Sequence, residues 1–320
     1  MRPLTSEVNR TIDRRAWLAG VGAFAIAGLP GDCGSSLGRC AQGASLLPSG
    51  TSPNVHLLDW DLGTYAWGKA HAEIVVPAWG NEGERFPVLV ALHGRGEALK
   101  GPIEGAMGWP RDYALLRAID RVRAPPLDAA DYEGFVVPER LRETNAALEA
   151  RSFGGMVVAC PWLPDVRPPA SGDISAYGRF VTDVLLPRVR RETPAYGSRE
   201  ATGIDGVSLG GVVAMRIGLS SPDLFGAVGG LQPALSGGDN AVWVARARAA
   251  RAKHADLKLR LLTSDRDYFR DEVLSLSRAW RDAGIAHDIA DVVGPHDYSF
   301  NRGPGALELL LWHDGALARR

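Results

Sequence analysis

Gly206-Val207-Ser208-Leu209-Gly210-Gly211 lies between a short apolar run, Ala201 to Ile204, and an apolar run with helical spacing, Val212 to Leu219. A Gly-x-Ser-x-Gly string in this context predicts a sharp strand-to-helix turn that holds its serine in a strained conformation. The flanking glycines have no Cβ to collide with the strand and helix. Ser208 is therefore a candidate nucleophile, although such strings also occur by chance and need a supporting context.

Composition excludes several classes of function. A chain of 320 residues can bury one large core, and a formal net charge of −1 gives no electrostatic support for binding nucleic acid. The three cysteines, Cys33, Cys40 and Cys160, form no CxxC pair, which makes a disulfide scaffold or a redox motif unlikely on spacing alone. No His-Glu-x-x-His string or carboxylate cluster stands out, so we expect no metal site.

The N-terminus has the pattern of an export signal. Arg14-Arg15 precedes Ala16-Trp17-Leu18 and a mild apolar run, Ala19 to Leu29, which is too short for a stable membrane span. Twin arginines before an aromatic residue and a leucine resemble the bacterial twin-arginine signal. We expect an exported protein, periplasmic or extracellular. A disordered basic tail, or lipid attachment at Cys33, is the alternative.

Beyond this signal, we predict a linker to about residue 50 and one catalytic domain over residues 51–320. Apolar runs alternate with helical patterns along this domain, which favours a mostly parallel sheet with helices on both faces. The predicted strands are His56 to Trp67, His71 to Val76, Pro87 to Leu92, Met156 to Ala159, Ala201 to Ile204, Ala227 to Leu231, Leu257 to Leu262 and Ile285 to Val293. The first two are expected to pair antiparallel around a Gly68-Lys69 turn.

Residues 97–155 form a longer connection than an ordinary crossover. Helical patterns occur around Tyr113 and again from Pro138, which suits the first turn of a helix. We interpret this segment as a small helical cap beside the active site, with an ordinary packing excursion as the alternative. Trp109 and Trp162 lie in loops after strand ends and are candidate substrate-binding residues.

Two further strand ends carry the partners that Ser208 would need. The run ending at Leu262 leads into Thr263-Ser264-Asp265-Arg266-Asp267, and the last strand leads into Gly294-Pro295-His296-Asp297. Catalytic groups gather at the carboxyl ends of parallel strands, so these loops should meet the serine turn. His296 is the candidate base. Asp267 is the preferred acid to orient it, with Asp265 as the alternative.

Each group has a chemical task in this arrangement. A serine hydroxyl is a weak nucleophile that needs a base, and an imidazole can take its proton and return it to the leaving alcohol. A developing oxyanion needs two N–H donors. Leu209, at the start of the predicted helix, supplies the first, and Arg95 or Gly94, after the Pro87 to Leu92 strand, supplies the second. His93 is expected to be a structural hydrogen-bonding residue, and Asp205 a buried support of the serine turn.

In combination these motifs resemble a family of serine esterases related to esterase D, S-formylglutathione hydrolases, and acetyl xylan and feruloyl esterases. The similarity rests on Leu185 to Arg190, Gly206 to Gly211, Ser264 to Phe269 and Gly294 to Phe300. It implies an α/β-hydrolase fold, ester hydrolysis through an acyl-enzyme without a cofactor, and the triad Ser208, Asp267 and His296. Ser264 stands where the family usually has glycine, which leaves the position of the acid open.

The expected function is hydrolysis of a small-molecule or carbohydrate-linked ester. An acyltransferase on the same fold would differ in using an added alcohol instead of water. The other alternative is a binding protein without catalytic activity. Binding alone, however, does not require Ser, Asp and His at the ends of three strands. The sequence specifies neither the natural acyl and alcohol groups nor the oligomeric state.

Overall fold

The computed structural model describes residues 52–166 and 171–319, without the side chains of residues 171–173. The predicted export segment, with Arg14, Arg15 and Cys33, lies outside these residues, and its function stays a prediction. The division into a linker and a domain from residue 51 also stays a prediction.

One sheet carries the fold of the described residues. Its strands are β1 (Val55–Tyr65), β2 (Gly68–Pro77), β3 (Val88–Leu92), β4 (Val157–Pro161), β5 (Thr202–Gly206), β6 (Ala227–Leu231), β7 (Lys258–Arg266) and β8 (Asp288–Pro295). Their order across the sheet is β1-β2-β4-β3-β5-β6-β7-β8. β2 is antiparallel to β1 and β4, and the other neighbours are parallel. The predicted mostly parallel sheet is confirmed.

Helices cover both faces of this sheet. They are α1 (Arg95–Ala98), α2 (Pro102–Ala106), α3 (Leu115–Arg123), α4 (Pro138–Ala150), α5 (Ser171–Phe180), α6 (Leu186–Glu192), α7 (Leu209–Ser220), α8 (Asn240–Lys253), α9 (Arg270–Asp282), α10 (Tyr298–Phe300) and α11 (Ala306–Ala316). Buried side chains of α6 to α9 pack in the core on one face, and those of α3, α4 and α11 pack on the other. Because both faces are covered, β3 is apolar and buried at every position.

The segment 97–155 contains α2, α3 and α4, with a π-helical turn before α3 and a 3₁₀ turn after it. The face of α3 that carries Leu115, Leu116 and Ile119 is buried together with α11 residues, in the core on the same face of the sheet. This segment therefore supplies part of a packed layer, as an ordinary crossover would. A role as a cap over the substrate stays a prediction.

One local expectation differs from the structure. Tyr65 pairs with Gly68, so the hairpin turn consists of Ala66 and Trp67 and not of Gly68-Lys69. Elsewhere, a π-helical turn over Val181–Leu185 joins α5 to α6, and Pro187 follows it. The proline then occupies the first turn of α6, where a missing N–H disrupts little. Among the described helices, none is both long enough and apolar enough to span a bilayer.

Candidate active site

Ser208 occupies the corner between β5 and α7 with φ 57° and ψ −117°, which is a strained conformation for a residue with a side chain. The backbone is closely packed at the glycines before and after Ser208. A Cβ at Gly206 would lie 2.6 Å from the Leu92 carbonyl oxygen, and one at Gly210 would lie 2.4 Å from the His93 carbonyl oxygen. Both glycines of the string are therefore required by packing, as the sequence predicts.

His296, just after β8, lies within hydrogen-bonding distance of this serine. Its Nε2 is 3.0 Å from Ser208 Oγ, and its Nδ1 is 2.6 Å from Asp267 Oδ1. Because a carboxylate can only accept, Nδ1 carries the proton of the neutral ring and Nε2 accepts the hydrogen bond from the serine hydroxyl. The ring is thus in the tautomer that a general base for Ser208 needs.

Asp267 is held by contacts from residues close to it in the chain. The Thr263 hydroxyl donates to Oδ2 at 2.7 Å, and the Phe269 backbone N–H donates to Oδ1 at 3.0 Å. Asp265 instead accepts a hydrogen bond from the Gly294 N–H at 2.8 Å. Of the two aspartates considered from sequence, the structure brings Asp267 to His296.

The candidate oxyanion donors are the residue after Ser208 and a residue of the loop after β3. Leu209 is the first residue of α7, where backbone N–H groups have no partner within the helix. A Cβ added at Gly94 would lie 3.7 Å from the Ser208 Cβ, so the loop after β3 borders the nucleophile. The Gly94 N–H donates to the Tyr113 hydroxyl at 3.1 Å, and this leaves Arg95, the next residue, as the second candidate.

Comparisons with known proteins agree with this geometry. Residues 159–315 match the family described as "Putative esterase", a segment that contains Ser208, Asp267 and His296. This match supports an esterase of the α/β-hydrolase type. No curated protein matches it at the sequence level.

Solved structures share the fold of this esterase at low identity. A ferulic acid esterase is 17% identical with a TM-score of 0.62, covering 82% of this chain and 100% of that one. The S-formylglutathione hydrolase of Staphylococcus aureus is 15% identical with a TM-score of 0.55, covering 84% and 100%. A feruloyl esterase module of Clostridium thermocellum is 11% identical with a TM-score of 0.58, covering 87% and 96%. Likeness at this identity establishes the fold.

Ser264, where the family usually has glycine, joins the acid and histidine loops of the esterase. Its buried hydroxyl donates to the Gly294 carbonyl at 2.7 Å and accepts from the Gln232 side chain at 2.6 Å. Gln232 also donates to the Pro295 carbonyl at 3.0 Å. Gln232 follows β6 and has a positive φ of 41°. Sequence reasoning missed this glutamine, which carries no motif of its own.

The loop after β3 is held by a buried polar network that sequence reasoning also missed. The Tyr113 hydroxyl accepts from Gly94 and donates to the Glu97 carboxylate, which is also bonded to the Tyr298 hydroxyl. Burial, together with the Glu97 charge, raises the pKa of Tyr113 well above its usual value. Tyr298 lies two residues after His296, so the network joins the oxyanion loop to the histidine loop.

His93 is a structural residue, as expected. Its Nε2 accepts from the Leu163 N–H at 2.9 Å, and its Nδ1 lies 2.8 Å from the Gly94 carbonyl. Burial lowers the pKa of this histidine. A neutral ring that donates through Nδ1 satisfies both contacts and ties the end of β3 to the loop after β4.

Trp109 and Trp162 are packed within the protein. Trp109 is 1% exposed and lies edge-on to Tyr113, at 5.1 Å between ring centroids. Trp162 is 9% exposed, and its Nε1 donates to the Ala98 carbonyl at 3.2 Å. Neither ring lines an open surface here, so a contact with substrate stays a prediction. Tyr268, which is 78% exposed, lies next to His296 with 5.5 Å between the ring centroids.

Asp205 is a buried residue that supports the serine turn, as expected. Its Oδ1 accepts from the Gly206 N–H at 2.7 Å, and its Oδ2 accepts from Arg260 at 2.6 Å. His313 Nε2 lies 3.1 Å from the same oxygen. All three side chains are buried, so the ion pair between Asp205 of β5 and Arg260 of β7 is enclosed close to the serine turn.

Proposed function

We propose that this esterase hydrolyses carboxylic esters through an acyl-enzyme formed on Ser208. The observation that carries the proposal is the relay from Asp267 Oδ1 to His296 Nδ1 at 2.6 Å and from His296 Nε2 to Ser208 Oγ at 3.0 Å. The esterase family match over residues 159–315 supports the same reaction class.

In the first half of the proposed reaction, His296 takes the hydroxyl proton as Ser208 Oγ attacks the ester carbonyl. Asp267 stabilises the imidazolium, and the backbone N–H groups of Leu209 and Arg95 stabilise the oxyanion. When the tetrahedral intermediate collapses, the C–O bond to the alcohol breaks and His296 returns the proton to the leaving oxygen. Ser208 is left acylated.

In the second half, His296 removes a proton from water, which attacks the acyl carbon. The second tetrahedral intermediate releases the carboxylic acid and restores the Ser208 hydroxyl. The same two backbone donors serve both intermediates. Apart from the ester and water, the proposed reaction uses only groups of this chain.

Ser208→Ala tests the proposal. With a simple activated ester, we expect kcat/KM to fall by on the order of 10⁶-fold, because the variant loses the only group that forms the covalent bond. Ser221→Ala, at the other end of α7, is the matched control and should keep full activity. Unchanged hydrolysis by Ser208→Ala would contradict the proposal.

The structural neighbours named as ferulic acid and feruloyl esterases support a substrate panel with hydroxycinnamoyl esters of sugars. Acetylated sugars and acyl chains of graded length complete it.

We further propose export through the twin-arginine pattern at Arg14-Arg15, which is supported by the apolar run that follows.

A further inference from the structure

A second group of charged side chains lies on the β1–β2 hairpin, outside the site around Ser208. It consists of Asp59, His71 and Glu73, and one donor atom from each lies within 4.8 Å of the others. Asp59 and Glu73 are directly paired in the antiparallel ladder, so their side chains project from the same face. His71 is two residues from Glu73 along β2 and shares that face.

Two carboxylates of this cluster face each other, with one histidine beside them. Two carboxylates directly opposite each other on one face destabilise a strand pair. Among the described side chains, only His71 comes within ion-pair distance of either carboxylate. Glu73 is 5% exposed, so water screens it poorly. When both carboxylates are ionised, a divalent cation between them would offset both charges.

The position of His71 points to the same cation. The residue is 7% exposed, and its Nε2 lies 2.9 Å from Asp59 Oδ1 and 3.8 Å from Glu73 Oε1. Despite these distances, Nε2 makes no well-aligned hydrogen bond to any described residue. Ligand atoms at about 2.1 Å from a tetrahedral metal ion lie about 3.4 Å apart. The two observed distances bracket that spacing.

We propose that Asp59, His71 and Glu73 bind a divalent transition-metal ion of the Zn²⁺ class. One imidazole nitrogen with two carboxylate oxygens suits such an ion, whereas Mg²⁺ and Ca²⁺ take oxygen ligands. The Asp59 side chain is 68% exposed, which leaves a path for the ion and for a water ligand. The proposal departs from the sequence-based expectation of no metal site, because the three residues lie on two strands and form no local motif.

The bound ion would act as a structural link at the edge of the sheet. It would join β1 to β2, and the His71 carbonyl accepts a hydrogen bond from the Trp162 N–H at 2.9 Å. Metal binding to the native state, but less to the unfolded chain, raises the free energy of unfolding. Resistance to heat should therefore respond to the metal even where ester hydrolysis does not.

The test uses the full chain without an affinity tag, freed of metal by a chelator and titrated with Zn²⁺ in a calorimeter. We expect one tight site, and a Tm that rises by a few degrees when free Zn²⁺ exceeds its Kd by about 100-fold. His71→Phe and Glu73→Gln should each weaken binding by at least about 10-fold, since even losing a residue that only orients a ligand costs that much. Asp59→Asn, at an exposed position, should weaken binding without affecting folding.

Two control variants separate this site from other Zn²⁺ ligands. His254→Phe removes a partly exposed histidine that pairs with Asp223, and it should keep the tight site. The double variant Cys33→Ser/Cys40→Ser should keep it as well. Equal Zn²⁺ affinity in Asp59→Asn and the unmodified chain would overturn the proposal. Absence of tight binding, or equal affinity for Ca²⁺, would overturn it too.

Discussion

The Asp267 carboxylate lies 2.6 Å from His296 Nδ1, whereas Asp265, two residues earlier, accepts a hydrogen bond from the Gly294 N–H. The two aspartates at the end of β7 thus have separate tasks. Asp267 faces the imidazole, and Asp265 binds the end of β8, which leads into His296.

Asp267→Asn should lower kcat by about 10⁴-fold, because an amide in this position favours the wrong tautomer of His296. Asp265→Asn is the matched control, since its amide oxygen can still accept from Gly294, and kcat should stay within about tenfold of the original value. Steady-state kinetics on one activated ester measures both. A greater loss in Asp265→Asn than in Asp267→Asn would reverse the assignment.

Tyr113→Phe tests whether the buried network positions the oxyanion loop. The variant removes the acceptor of the Gly94 N–H and one donor to Glu97, so the loop that carries Arg95 should become less well ordered. We expect kcat to fall about 10-fold with little change in KM, as part of the 10²–10³-fold that one oxyanion donor contributes.

Tyr132→Phe is the control for this change, because its buried hydroxyl bonds to Thr144 at 3.2 Å on α4. It should lower stability slightly and leave kcat unchanged. If Tyr113→Phe lowers only Tm, then Tyr113 is merely part of the core and does not position the loop.

Asp205→Asn should lower the free energy of unfolding by about 3–5 kcal/mol, because it leaves Arg260 buried without its counter-charge. Burial opposes ionisation of Asp205, but Arg260 and His313 outweigh it and hold its pKa below the usual value. The stabilisation is therefore complete above the unfolded pKa of about 3.9 and disappears as the pH falls through the lower folded pKa.

Urea unfolding at neutral pH and again under acidic conditions measures this contribution. Asp223→Asn, which removes an exposed partner of His254, should change stability by less than about 0.5 kcal/mol. Equal losses in the two variants would contradict the role of the buried pair.

Much of the fold was predictable because burial leaves a clear pattern. The unbroken apolar run of β3 indicates a strand buried on both faces, and the glycines around Ser208 indicate a turn without room for a Cβ. The structure confirms both features. Gly284, just after α9, has φ 69°, and its N–H bonds to the Arg281 carbonyl at 3.0 Å, which is typical of a glycine at a helix end.

Other features escaped because their cause is not local in sequence. Helix α8 was not predicted, since alanines and arginines alternate along it and only Trp243, Ala247 and Ala250 are buried. The contact between Glu97 and Tyr298 joins parts of the chain that are distant in sequence. The hydrogen bonds of Gln232 form only where the ends of three strands come together. The burial of Trp109 likewise follows from tertiary packing and not from its place after a strand.

The export proposal has its own test. Changing Arg14 and Arg15 to lysine keeps the charge but removes the pair that the receptor reads, so the protein should accumulate inside the cell. Changing Arg2, which lies outside the motif, should leave export intact. Fractionation of cells followed by immunoblotting distinguishes the outcomes, and export of the double lysine variant would contradict the proposal.

The most direct measurement of the central claim is the site at which a serine-directed fluorophosphonate reacts. Peptide mass spectrometry of the labelled protein should find one adduct per chain, on Ser208, and His296→Ala should slow its formation because the hydroxyl loses its base. An adduct on another residue, or full labelling of Ser208→Ala, would contradict the account.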